Sequence, residues 1–159
     1  MLINDQDNLP GTFFKAFKER DFNKMKESYS SDIAYFDPIY NMLKGKEVLL
    51  MWKLRYAELN SFSLQWKNIA DAGDGYFTVE YSIHYNSPNS GKPIFENRKA
   101  YLRIKDDKIT EHSDGFSMHE LCKQEFGFSG WLIGWNRMYQ NRIKLNERKK
   151  LLNLLQEQL

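Results

Sequence analysis

Thiol chemistry is nearly absent: Cys122 is the only cysteine, which excludes an intrachain disulfide and any multi-cysteine metal site. No apolar run approaches the roughly 18 residues that a membrane span needs, and no repeat or low-complexity segment breaks the chain. The opening residues, MLINDQDNLPG, lack the basic stretch followed by an apolar run of a secretory signal, so a cytoplasmic protein is expected. An excess of charge of one sign is missing too. Charged residues are 28% of the chain yet nearly cancel at a formal +2, which argues against nucleic acid as a partner. The three histidines, His84, His112 and His119, have no compact ligand spacing, and no metal is expected. A Gly-rich phosphate loop and a Ser or Cys nucleophile word are also lacking, so any chemistry is expected to proceed without a cofactor.

What is present suits one domain with a substantial core, since 159 residues carry 42% hydrophobic and 15% aromatic side chains. Phe13, Phe14 and Phe17, then Phe22, Met25 and Tyr29, recur at helical spacing and predict two short helices. Residues 33–37 (IAYFD) are β-prone, and Pro38 biases Asp37 away from helical dihedrals, which puts Asp37 at a strand end. A third helix is expected over Lys46–Glu58, from Val48, Leu49, Trp52 and Tyr56. Beyond Ser61 the period changes to two, predicting four strands joined by turn-rich linkers too short for parallel crossovers. The expected class is α+β, with helices covering one face of a curved antiparallel sheet.

The segments FFKAFKERDFNKMKESYSSDIAYFDPIY, GKEVLLMWKLRY and KITEHSDGFS resemble, in order, the nuclear transport factor 2-like superfamily, in its SnoaL-like and ketosteroid-isomerase-like branch. The resemblance spans about residues 9–128. It implies a cone-shaped pocket between the concave sheet and the helices, and a homodimer through the outer face of the sheet. Residues 1–128 are expected to form this domain and 129–159 a C-terminal helical extension packed on the domain or dimer.

In that resemblance, Asp37 of the Asp37-Pro38 word stands where the isomerases carry their general base. Two readings are open: a desolvated carboxylate with a raised pKa that shuttles protons, or a solvated turn cap. The isomerases' two enolate donors are not retained, because Phe13 occupies the tyrosine position and Ala100 that of the second acid. Losing even one such donor costs about a hundredfold in rate, so steroid isomerisation is not expected. His112, Asp114 and Phe116 share one face of the last strand by its two-residue period, and His112 with Asp114 is either an acid/base pair assisting Asp37 or a structural one. Arg98, on the face of Ala100, is similar to part of the Asp-Arg-Asp group of limonene-epoxide hydrolases, again short of one acid.

Helix and strand parity further places Phe13, Phe17, Trp52, Tyr56, Tyr81, Ile83, Arg98, Ala100, Leu102 and Phe116 toward the pocket. Such a wall suits a small hydrophobic or ringed organic ligand, although each apolar member also fits an ordinary core. The function expected is a pocket protein, with isomerase, cyclase or hydrolase chemistry on one reading and binding or dimerisation alone on the other. His84 has the opposite parity and is expected on the outer face. Residues 129–159 hold six basic and two acidic side chains, a formal +4 that leaves −2 on the remainder. With Trp131, Trp135, Met138, Tyr139, Leu152, Leu155 and Leu159 as apolar positions, this segment is expected to pack on the domain or a partner subunit, to lid the pocket, or to touch an anionic membrane surface.

Overall fold

A computed structural model describes residues 8–59 and 61–157; the sequence readings on the first seven residues and on Leu159 lie outside them. Helix α1 (Leu9–Glu19) starts where the Asn8 side chain accepts from the Gly11 amide at 2.8 Å, and it stops at Arg20 in the left-handed conformation. Its buried face carries Phe13, Phe14, Ala16 and Phe17. Helix α2 (Phe22–Ser28) is capped by Asp21 and leads directly into strand β1 (Tyr29–Asp37). Tyr29, expected as the last helical apolar residue, is the first residue of this strand instead. Its spacing from Met25 fits a helix, but its side chain pairs with a histidine of the sheet.

Strand β1 turns at Asp37-Pro38 into a short strand β2 (Asn41–Lys44), which the sequence reading omits; four residues are too few for the alternation to register. Helix α3 (Lys46–Glu58) then crosses the sheet. Strands β3 (Phe62–Gly73), β4 (Tyr76–Asn86), β5 (Pro93–Lys105) and β6 (Lys108–Gly115) form the expected antiparallel meander. The sheet order is β2-β1-β6-β5-β4-β3, with β1 and β6 parallel, so the first strand joins the sheet beside the last. This juxtaposition sets Tyr35 opposite His112. A register shift between Ile104 and Arg103 on β5 leaves Ile109 and His112 both buried, as an inserted residue in β6 would.

Three helices follow: α4 (Met118–Phe126), α5 (Phe128–Ile133) and α6 (Arg137–Glu157). Part of α6 lies against α3, where Leu151 is buried in the main core and Lys150 meets Glu58 at 2.7 Å. Inward residues of the sheet and the faces of α1 and α3 fill that core. His84 stacks on Phe95 of the neighbouring strand, rings 3.9 Å apart, on the outer face.

Because Leu151 sits in the same core as Phe13 and Trp52, Leu151→Ala is expected to cost about 2–5 kcal/mol in urea unfolding, within one cooperative transition. An unchanged midpoint would mean that α6 is only laid on the surface.

Candidate functional site

Asp37 ends β1 with no exposed surface. Its Oδ1 accepts from the backbone amides of Ile39 (2.9 Å) and Tyr40 (2.6 Å), and its Oδ2 from Arg55 Nη2 (2.6 Å) and the Tyr35 hydroxyl (3.1 Å). The Asp-Pro word is thus a turn cap, as on one reading, but a dry one. Four donors occupy the carboxylate's lone pairs.

Tyr35 links this carboxylate to a second. Its hydroxyl is also 3.1 Å from Asp114 Oδ2, and one O–H cannot serve both acids fully at once. Asp114 further accepts from Tyr81 (2.9 Å), faces His112 Nε2 (3.2 Å), and lies 3.9 Å from Arg98. His112 Nδ1 is 2.7 Å from the Tyr29 hydroxyl, and Trp52 Nε1 donates to that oxygen at 3.1 Å. A continuous path of polar contacts thus runs from Trp52 through Tyr29 and His112 to Asp114.

The electrostatics follow from burial plus pairing. Burial alone would raise the Asp114 carboxyl, but His112, Arg98 and Arg55 outweigh it and hold the group well below the usual carboxylate range. Desolvation pushes the hydroxyls of Tyr29, Tyr35 and Tyr81 far up, so all three stay protonated. Burial works against the charge on Arg55 and Arg98, yet both are held above the ordinary guanidinium value, Arg55 first by Tyr35 and Asp37, Arg98 first by Glu96.

Above this network lies a cavity of about 200 Å³, below the roughly 300–1,000 Å³ of drug-sized sites. Arg55, Arg98, Tyr40 and Tyr81 face it, backed by Asp37, Asp114 and Glu96; Phe17, Tyr56 and Ile83 form apolar wall. Its rim comes from α4 and α6, including Phe126, Ile143, Glu147 and Lys150. Of the residues expected on the wall, Phe17, Tyr56, Tyr81, Ile83 and Arg98 line it. Phe13, Trp52, Ala100 and Leu102 are buried in the core and do not, while Phe116 lies beneath the Arg98 guanidinium at 4.0 Å. Asp37, His112 and Asp114 come together through Tyr35, but as the layer behind the wall. A second hollow of about 520 Å³ on β3–β5 shares Tyr81 and Arg98, and its other edges include Gln65, Lys67, Glu80, Lys99 and Gly115.

Sequence reasoning missed Arg55, Tyr35, Tyr29 and Glu96. Tyr35 has the parity of Asp37, and Glu96 that of Arg98, so the alternation held that signal; Arg55, one turn beyond Trp52, had only its helical spacing. Among the described residues, no group of three or more His, Cys, Asp or Glu is placed to hold a metal ion. None of the helices there is long and apolar enough to cross a membrane.

A protein-family profile described as a SnoaL-like domain matches residues 11–112. No curated protein matches the chain. Among solved structures it is similar to a hypothetical protein with a ketosteroid isomerase-like fold from Catenulispora acidiphila, in complex with trimethylamine, at 19% identity, covering 75% of this chain and 92% of that one, TM-score 0.64. A nuclear transport factor 2-like protein of unknown function from Burkholderia pseudomallei matches at 13% identity over 79% of this chain and all of its own, TM-score 0.66. A candidate SnoaL-like polyketide cyclase from Shewanella putrefaciens gives 14%, 77%, 86% and 0.65. At these identities the likeness is one of fold.

With its folded pKa below the unfolded one, Asp114 makes the unfolded state bind more protons between the two values, so stability is lost as pH falls through that window. The unfolding free-energy gap between the wild type and Asp114→Asn is therefore expected to be constant above about pH 5 and to shrink below about pH 4. A gap independent of pH down to that acid range would contradict the depressed carboxyl.

Proposed function

The chain belongs to the SnoaL-like domain family, and from that premise we propose that it binds a small, mostly apolar, uncharged organic molecule, with a carbonyl or similar oxygen on Arg55 and Arg98. The observation that supports this reading is the order of layers: guanidinium groups at the cavity floor, carboxylates behind them. Arg55 commits an N–H from each terminal nitrogen to Tyr35 and Asp37, and Arg98 two N–H groups to Glu96, so each five-donor fork has N–H groups to spare. The nearby tyrosine hydroxyls already donate to acids. An anion is disfavoured, because the lining's three cations (Arg55, Arg98, Lys150) are matched by Glu58, Glu125 and Glu147, and Asp37, Glu96 and Asp114 lie behind.

One observation favours turnover as a second reading. Tyr35 has two equidistant acceptors, and turning its O–H to Asp114 frees a lone pair on Asp37 Oδ2. Asp37 would then be the proton acceptor, with His112 and Asp114 stabilising the charge that moves, provided Arg55 swings off it to admit substrate. The aromatics Phe36, Phe95 and Tyr101, exposed on the outer face of the sheet, support the expectation of a homodimer through that face.

Thermal-shift screening followed by calorimetry, on flat neutral ketones, matched aryl carboxylates and quaternary amines, tests the binding reading. Neutral carbonyl compounds are expected to bind, and Arg98→Lys, which keeps the charge but not the planar fork, to weaken them about tenfold or more. Tighter binding of the carboxylates or amines, or indifference to Arg98→Lys, would reject it. Deuterium uptake from heavy water at the α-carbon of a bound ketone, lost in Asp37→Asn, would select turnover.

A further inference from the structure

Between Glu125 and Glu147 the chain has no acidic residue, while Arg137, Arg142 and Lys144 are basic. The same stretch holds the most exposed large apolar side chains of the described residues: Met138 at 79%, Phe128 at 77%, Trp135 at 71% and Leu145 at 69%, with Leu132 and Trp131 also exposed. We propose that residues 126–146 are a contact surface for an anionic lipid bilayer, lying on it without spanning it.

The exposure belongs to a seated segment. Gly130 packs so close to α4 that an added Cβ would fall 2.0 Å from the Cys122 carbonyl oxygen, and the Trp135 ring lies 4.4 Å from that of His119. On α6, Leu151 is buried and Ile143 and Glu147 face the cavity, while Met138, Leu145 and Leu152, each seven residues apart, form one exposed line. Exposed Arg142 lies one turn from both Met138 and Leu145 and exposed Arg137 precedes Met138, while Lys144 is half-buried toward the side of Leu151. An apolar line beside solvated cations, next to two exposed tryptophans, is what an interfacial helix needs, with tryptophan at headgroup depth and the cations on lipid phosphates.

Charge selects this occupant over a second copy of the chain. Two such surfaces meeting about a twofold axis would bring three basic residues against three more with no carboxylate in either segment. An anionic bilayer supplies the missing sign. Phe126 and Ile143 also line the cavity, so the surface adjoins the site, but the contact does not depend on what the cavity holds.

Co-sedimentation of the full chain with vesicles of phosphatidylcholine alone and mixed with phosphatidylglycerol tests it, with circular dichroism checking each variant's fold. Binding to the mixed vesicles is expected, weaker at high salt. Neutralising Arg137, Arg142 and Lys144 to Gln should lower affinity by about a hundredfold, and Met138→Ser with Leu145→Ser should abolish binding. Lys26→Gln, an exposed cation on α2, should bind as the wild type does. Absence of binding to either vesicle would overturn the proposal, as would binding that none of these substitutions changes. So would a dimer that Met138→Ser with Leu145→Ser dissolves while no vesicle is bound, which would assign the surface to a second copy.

Discussion

The hydroxyl of Tyr35, shared between Asp37 and Asp114, is the point through which the interior of this protein is tied together. Two carboxylates with essentially no exposed surface are tolerated only if donors and counter-charges replace the water they have lost. Those partners come from five elements: Tyr29 and Tyr35 from β1, Trp52 and Arg55 from α3, Tyr81 from β4, Arg98 from β5, and His112 from β6. Parallel pairing of β1 with β6 aligns Tyr35 with His112, and α3 must cross the sheet where Arg55 reaches Asp37. Breaking such a buried pair by removing one partner costs about 3–5 kcal/mol, a large share of a small domain's stability. The network therefore constrains the fold as strongly as the aromatic core around it.

The same constraint shapes the cavity. Because the lone pairs of the acids are filled, what they pass forward is orientation: Asp37 fixes one guanidinium, Glu96 and Asp114 the other, and these face the space where a ligand fits. Such donors are held in place before any ligand arrives, which is what preorganisation means at a binding site. Helix α6 completes the enclosure with Ile143, Glu147 and Lys150, and Tyr40 ties it down through Glu147. The C-terminal segment is thus an inward wall on one side and an uncovered apolar line on the other.

Much of this arrangement was legible in the residues. The change of hydrophobic period near Ser61 marked the meander, and alternation put Tyr81, Ile83 and Arg98 on the cavity side. Alternation reports which face a side chain takes, not how deep it lies; hence Leu102 and Ala100 share the face of Arg98 but not its contact with the cavity. The helical spacing of Phe22, Met25 and Tyr29 concealed the start of β1, because a spacing of three or four cannot tell a helix from a helix followed at once by a strand. Arg55 was hidden by the rule that charged helix residues are solvated, a rule that fails where a buried acid waits for them. Rim residues from α4 and α6 depend on contacts distant in sequence, which no local pattern carries.

Nitrogen-15 NMR of the His112 ring at neutral pH tests most directly whether the two acids, Tyr35 and the tyrosine–histidine chain form one dry network. A ring proton on Nε2, held on Asp114 and in slow exchange with water, is expected. A ring protonated on Nδ1 alone, or one whose proton exchanges freely with solvent, would mean that the chain from Trp52 to Asp114 is not connected and that the acids are held independently.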